Sequence, residues 1–452
     1  MFVREAPAAH RGRRGQHEHA GRTIRHLYAI RNAKKARGPG EFRLNLFADS
    51  VVLEDDPIHD RATLHPCDGS TATLREMANE IVRVLVVDDS ASVRSMIVKA
   101  LESEPTIRVI GTAASGITAL EAVDRLRPDV VTLDVQMPGM DGLEFLKRIR
   151  LTHPRLPIIM FSHLTQRGAV TTLDTMFHGA TDYVSKPTYA GGPDAAREQV
   201  KTQLIPKILA LKSPAAETPL PLPTPPRRPA VARPAGTPPR PPVTPRPAVV
   251  TSPAREVGVV AIGSSTGGPV ALDDIVCALP RDYAVPVVVV QNMPKMFTHL
   301  LAERMSARAR VPVVEAKGGE VVAAGKILLA PGDHHMVLRR DGASVVTEIT
   351  TDAPVHGNRP SADLLFKSVA KVYGSVVLAV VLTGIGKDGL EGSRAIVDAG
   401  GRVIVQNEMS SVVWGMPGQI AKAGLAHAVL PVKEIAQELV LCGHAPSRFA
   451  AP

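Results

Sequence analysis

The sequence predicts an α/β protein of two doubly wound parallel-sheet domains joined by a proline-rich linker. Three observations predict it. Short apolar runs such as Val84-Leu85-Val86-Val87 alternate with helical stretches, the pattern of βα units. The alternation lapses near residue 212 and starts afresh at Val257. Between these points, residues 212–255 hold 15 of the chain's 39 prolines, which is the composition of an extended spacer.

The first domain opens at Arg83. Strands are expected at 84–87, 108–112, 130–133, 157–160 and 182–184, with a helix from Ser90 and helical stretches between the later strands. In the second domain strands fit 257–262, 286–291, 326–329, 376–382 and 402–405. Helices fit 267–278, 297–309, 362–373, 388–398 and 432–441. The chain thus divides into a tail over 1–76, one domain over 81–200, a helix end and linker over 201–256, and a second domain over 257–440. A long flexible linker lets two domains touch or separate.

Composition excludes several classes. No apolar run approaches the ~18 residues of a membrane span, and no apolar stretch follows the N-terminal charges as in a secretory signal. The expectation is a cytoplasmic protein that is not membrane-inserted. Cys67, Cys277 and Cys442 lie far apart, which suggests neither a disulfide framework nor a metal cluster. The net charge of +9 invites a nucleic-acid reading, but its location argues against one. Residues 1–40 carry +8, residues 41–76 carry −5 and residues 212–256 carry +5, which leaves +1 for the folded domains. Residues 1–76 lack periodicity and read as a disordered tail. Met77, just ahead of the first strand, is an alternative start of translation.

In the first domain, four chemistry-bearing residues fall at carboxyl ends of expected strands, where open α/β sheets bind ligands. Asp88 and Asp89 follow the first strand, Asp134 the third and Lys186 the fifth. Three converging carboxylates repel one another unless a cation joins them, and hard oxygen donors suit Mg²⁺. A carboxylate beside a metal and an ammonium is a plausible phosphoryl acceptor. Helix capping explains one such Asp well, but not the whole set. Together with Met137-Pro138, Asp141-Gly142 and Lys186-Pro187, the stretch 81–200 resembles a response-regulator receiver. The resemblance implies that Asp134 accepts the phosphoryl group, that Asp88, Asp89 and Asp134 bind the metal, and that Lys186 contacts the phosphoryl oxygens. Ser162 matches the switch hydroxyl, with His163 beside it.

In the second domain, Gly263-Ser264-Ser265-Thr266-Gly267-Gly268-Pro269 lies between an expected strand and helix. A phosphate-cradling loop is one reading, but the spacing fits neither Gly-x-Gly-x-x-Gly nor a Gly-Lys-Ser/Thr ending. A nucleophile turn, Gly-x-Ser-x-Gly, is the other. It puts Ser265 on a sharp bend, with N–H groups near Thr266 and Gly267 able to steady an oxyanion. Asp388, in Thr383-Gly384-Ile385-Gly386-Lys387-Asp388-Gly389, stands at a second sheet end, where alone it would read as a helix cap.

These motifs in this order resemble the chemotaxis protein-glutamate methylesterases of the CheB family over residues 81–440. Further matches are Ala330-Pro331-Gly332-Asp333, Arg359-Pro360-Ser361-Ala362-Asp363 and Val412-Val413-Trp414-Gly415-Met416-Pro417. The resemblance implies phosphorylation-controlled hydrolysis of receptor glutamate methyl esters and deamidation of receptor glutamines. It implies a Ser-His-Asp triad with Ser265 as nucleophile and Asp388 as orienting acid. The partners would be a chemotaxis histidine kinase and methyl-accepting receptors, with Mg²⁺ in the receiver and no organic cofactor.

The chain departs from the family at the base. Where the family has Gln-His-Met-Pro, this sequence reads Gln291-Asn292-Met293-Pro294. A carboxamide has no basic nitrogen near neutral pH. His299 is seven residues on, roughly 10 Å along a helix, and reads as a surface residue. Spacing favours none of His334, His335 and His356, and His335 matches a family position outside the triad. The expectation is weak esterase activity, and the alternative function is a degenerate esterase that binds receptors or competes for phosphoryl groups. A transcription factor is disfavoured because no small basic helix-turn-helix pattern appears. An α/β-hydrolase order would instead require His427 or His444.

Overall fold

The computed structural model describes residues 81–162, 166–187, 191–212 and 256–443, with the backbone of Asn45–Phe47 and Ser50–Val52. The rest of the 1–76 tail, Met77, His163, most of the linker and His444 lie outside the described residues. In the N-terminal unit, β1 (Asn45–Phe47) pairs antiparallel with β2 (Ser50–Val52).

The receiver sheet runs β3 (Val82–Val87), β4 (Ile107–Ala113), β5 (Val130–Asp134), β6 (Ile158–Ser162) and β7 (Asp182–Ser185). Its spatial order is β4-β3-β5-β6-β7 and every pairing is parallel. Helices α1 (Ala91–Leu101), α2 (Gly116–Leu126), α3 (Gly142–Thr152), α4 (Gln166–Phe177) and α5 (Gly192–Leu211) connect and flank it. Strand β3 shows why the run Val84–Val87 is apolar throughout: Val84 and Val86 enter one buried cluster and Leu85 and Val87 the other, while Arg83 at its start is exposed. A strand covered on both faces has no polar side to present.

The second sheet comprises β8 (Val259–Ser264), β9 (Val287–Gln291), β10 (Val313–Glu315) and β11 (Ile327–Leu329). It is completed by β14 (Val377–Val381), β15 (Arg402–Gln406) and β16 (Ala428–Leu430). The order β10-β11-β9-β8-β14-β15-β16 is parallel throughout. An antiparallel hairpin, β12 (His335–Asp341) with β13 (Ser344–Thr350), stands apart from it. The helices are α6 (Gly268–Ala278), α7 (Lys295–Arg308), α8 (Ala362–Tyr373), α9 (Leu390–Asp398), α10 (Met416–Lys422) and α11 (Val432–Gly443).

Both sheets match the expected fold class. The sequence pattern places β8, β9, β11, β14 and β15 and five of the six helices of the second domain. It does not place β10, β16, the hairpin or α10. The first two are three-residue strands at opposite edges of the sheet.

The two domains share an apolar seam. Leu173, Met176 and Tyr183 of the receiver join Phe297, Leu301 and Met305 in one buried cluster. The Tyr183 and Phe297 rings lie 4.3 Å apart at 36°. Fully burying a side chain such as Phe297 contributes about 2–3 kcal/mol. Arg304 adds an ion pair to Asp174 and stacks 4.0 Å over Phe177.

Candidate active site and phosphoryl site

Strands β8 and β14 are neighbours, and the chain leaves them toward opposite edges of the sheet. That is a topological switch point, where α/β sheets open a crevice at the strands' carboxyl ends. Ser265 follows β8, Asn292 follows β9, and Asp388 lies in the loop after β14, so all three reach this crevice.

The Ser265 backbone is held on several sides. Its N–H donates to Thr383 O at 3.0 Å, and its carbonyl accepts from Gly268 N–H at 2.8 Å and from Gln291 Nε2 at 2.9 Å. The bend needs Gly267, whose φ of +76° is a left-handed conformation. A Cβ there would also sit 2.6 Å from the Val412 side chain. The bend leaves Ser265 half-buried at a cleft of about 560 Å³ that Thr266 and Asn292 also line.

Asp388 is fully buried and works as a hub. Its Oδ1 accepts from Ser361 Oγ at 2.7 Å and Asp363 N–H at 3.0 Å. Its Oδ2 accepts from Ala362 N–H at 2.9 Å and from Asn292 Nδ2 at 3.3 Å. The carboxylate thus caps the first turn of α8, where free N–H groups and the helix dipole favour negative charge. Asn292 turns its NH₂ to this acceptor, which leaves its Oδ1 buried without a hydrogen bond among the described residues. Asn292 therefore lines the Ser265 cleft with an amide that is held by the buried carboxylate.

The candidate histidines separate clearly. His299 is exposed on α7, with Nε2 3.2 Å from Glu303 and Nδ1 3.4 Å from Glu315, as a surface residue should be. His335 is buried with Nε2 3.2 Å from Ala353 O. His334 Nδ1 lies 3.1 Å from Gly332 O. His427 Nδ1 accepts from Val403 N–H at 3.2 Å, at the far side of β15. His356 alone among them lines the Ser265 cleft.

The receiver crevice brings its acidic set together. One carboxylate oxygen from each of Asp88, Asp89 and Asp134 lies within 4.8 Å of the others. Lys186 Nζ is 2.8 Å from both Asp88 and Asp134. Burial raises the Asp134 carboxyl above its ordinary value, and Asp88 adds to this, against the pull of Lys186. Burial would lower the Lys186 ammonium, but its bonds to Asp134 and Asp88 win and raise it. Three hard oxygen donors, with Asp89 exposed to water, fit a Mg²⁺ ion that keeps part of its hydration. Ser162 ends β6, buried, on the strand next to Asp134.

Receiver residues also reach the Ser265 cleft. Tyr183, Ser185 and Lys207 line it, and Asp182 accepts hydrogen bonds from Lys207 Nζ at 2.6 Å and from Thr266 Oγ1.

Comparison with known proteins agrees with this architecture. Residues 84–191 match the response regulator receiver domain model, and residues 260–439 match the CheB methylesterase model. The protein-glutamate methylesterase/protein-glutamine glutaminase of Trichodesmium erythraeum is 43% identical over 360 residues, spanning 79% of this chain and 98% of that protein. The protein of the same name from Nocardioides sp. is 44% identical over 360 residues, spanning 79% and 94%. The chain belongs to the protein-glutamate methylesterase/protein-glutamine glutaminase family. A crystal structure of the CheB methylesterase catalytic domain of Thermotoga maritima is 38% identical, spanning 41% of this chain and 99% of that one, with a TM-score of 0.41.

Within this methylesterase-family site, the roles of several motif residues become visible only in the fold. Gln291 accepts from Ser264 Oγ at 2.7 Å while holding the Ser265 carbonyl. Thr383 donates its hydroxyl to Thr266 O at 2.9 Å. Ser361 was visible only as part of a motif, because its bond to Asp388 links positions 27 residues apart.

Proposed function

We propose that this protein hydrolyses glutamate methyl esters, and deamidates glutamines, on methyl-accepting chemotaxis receptors. We further propose that phosphorylation of Asp134 by a chemotaxis histidine kinase controls that activity. The observation that carries the reading is the Ser265 bend, which opens on a cleft backed by the buried Asp388 carboxylate.

In this reading Ser265 Oγ attacks the ester carbonyl carbon. The amides of Thr266 and Gly267, at the head of α6, steady the oxyanion. Collapse expels methanol, or ammonia from a glutamine, and leaves an acyl-serine that water hydrolyses. No organic cofactor enters. In the receiver, Asp88, Asp89 and Asp134 would hold Mg²⁺, which supplies charge neutralisation to a transferring phosphoryl group. Asp134 takes that group and Lys186 pairs with its oxygens. Strand β7 connects the two sites: it carries Asp182 and Tyr183 at the domain seam, and Lys186 follows directly. Phosphorylation shifts the population toward an arrangement in which the receiver leaves the cleft.

Asn292 favours a second reading, a weakened esterase that acts by binding receptors or by competing for phosphoryl groups. Methanol release from methylated receptors, with and without a phosphodonor and with Ser265→Ala as control, decides between them. Release that depends on Ser265 and rises with phosphorylation supports the first. Release equal to the Ser265→Ala control supports the second.

A further inference from the structure

We propose that His356, oriented by Asp363, is the general base for Ser265 in this chain. The inference rests on the serine-esterase reading above and deepens it. Asn292 fills the family's base position with a group that takes no proton, and it spends its NH₂ on Asp388. The Ser265 cleft nonetheless holds one imidazole among the described residues, that of His356.

His356 is built into this place. It sits at φ +52° and Gly357 at +79°, in a two-residue turn closed by reciprocal bonds between Val355 and Asn358 at 3.0 and 2.9 Å. Positive φ at both central residues is what such a two-residue turn requires, and the turn fixes where the imidazole projects. Its Nε2 lies 3.6 Å from Asp363 Oδ2. Asp363 is 1% exposed, its Oδ1 accepts from Gly392 N–H at 2.7 Å, and its Oδ2 has no hydrogen-bond partner among the described residues. An imidazole N–H is the donor that this orphaned oxygen lacks. With Nε2 carrying the proton toward Asp363, Nδ1 is the accepting nitrogen. The arrangement parallels the acid–base–nucleophile relay of serine hydrolases, with Asp363 and His356 in the two supporting places. Burial raises the Asp363 carboxyl, against the pull of its bond from the Gly392 amide.

The step balances simply. Nδ1 of His356 takes the proton of Ser265 Oγ as the oxygen bonds to the ester carbon. The imidazolium returns that proton to the departing methoxide, giving methanol and the acyl-serine. The same nitrogen then deprotonates water, whose oxygen displaces Ser265, and Ser265 regains a proton.

The test uses the full chain with a phosphodonor and a methylated receptor, and reads kcat and KM separately. Wild type should release methanol. His356→Gln should lose about 10²-fold or more in kcat, in line with general-base contributions, with KM little changed. Adding Asn292→His to His356→Gln should restore turnover, because an imidazole would then face Asp388. Asp363→Asn should lower kcat in the wild-type background but not in the Asn292→His background, a difference that a merely structural role would not produce. Phosphodonor labelling of Asp134 checks that each variant is folded. His356→Gln as active as wild type would overturn the proposal. So would wild type no faster than Ser265→Ala while Asn292→His is active, which leaves the esterase site standing. If Asn292→His is also inert, the esterase reading falls with it.

Discussion

Thr266 donates its hydroxyl hydrogen bond across the domain seam to Asp182, the first residue of β7, so the residue after the candidate nucleophile is tied to the receiver sheet. Both groups are buried, and Asp182 also holds Lys207 at 2.6 Å. A hydrogen bond to a charged, buried group contributes about 1.5–3 kcal/mol. Replacing Asp182 by Ala removes the acceptor and leaves both domains' cores intact. Amide hydrogen exchange over residues 264–268 should then speed up by about tenfold or more, toward the rate of the phosphorylated wild type. Unchanged exchange in Asp182→Ala would show that the apolar seam alone holds the domains together.

The receiver crevice makes a stoichiometric claim. Asp134 lies beside Lys186 and within reach of Asp88 and Asp89. A small phosphodonor with Mg²⁺ should label the protein once, and Asp134→Asn should abolish the label. Persistent full labelling of that variant would place the acceptor elsewhere.

The same crevice sets a pH dependence. Burial and Asp88 raise the Asp134 carboxyl in the folded state. A carboxyl whose folded pKa exceeds its unfolded one binds its proton more tightly when folded. Its contribution therefore favours the fold below the unfolded value and is lost as pH rises through the folded value. Without metal, the receiver should lose stability from this group as pH increases from about 4, the ordinary Asp range. Mg²⁺ binds the ionised form, so it should raise the melting temperature more at pH 7 than at pH 4.5. Equal shifts at the two pH values would mean that Asp134 is not among the ligands.

Much of this architecture is legible in the chain because parallel sheets bury both faces. The run Val84–Val87 and the run Val259–Ile262 are apolar throughout, and each residue proves to be in a core. Residues at strand ends are legible for the same reason: polar side chains that interrupt such runs have few places to go but the crevice. Asp88, Asp134 and Ser265 stand at or beside such interruptions, and Asp388 lies in the loop beyond one. Contacts between distant segments are not legible. Asp363 and His356 sit in a helix start and a turn whose local patterns give no hint of the cleft. Tyr183 and Phe297 meet across 114 positions of chain. The hairpin was missed although Asp341-Gly342, with Gly342 at φ +58°, carries the usual turn signal. Its alternation, with Met336 and Leu338 buried and Val337 and Arg339 less so, spans too few residues to stand out.

Asp388 should matter to stability as much as to chemistry. Its two oxygens satisfy four donors: the Ser361 hydroxyl, the amides of Ala362 and Asp363, and the Asn292 NH₂. Asp388→Ala would leave these donors buried or open a small polar cavity for water. An orphaned buried donor costs about 1–3 kcal/mol, and loss of a helix N-cap about 0.5–2 kcal/mol. The terms overlap, because the two amides are also the capped ones, so an overall loss of about 2–4 kcal/mol is expected. Ser361→Ala removes one donor together with its bond and should cost only about 1 kcal/mol. Trp414 is the single tryptophan of the chain and donates its indole N–H to Gln406 O at 2.8 Å, so its fluorescence reports unfolding of the second domain. Urea titrations followed by Trp414 should therefore give a lower midpoint for Asp388→Ala and a small shift for Ser361→Ala, with equal slopes. A midpoint for Asp388→Ala equal to wild type would mean that water replaces the carboxylate without loss, and that Asp388 does not organise the start of α8.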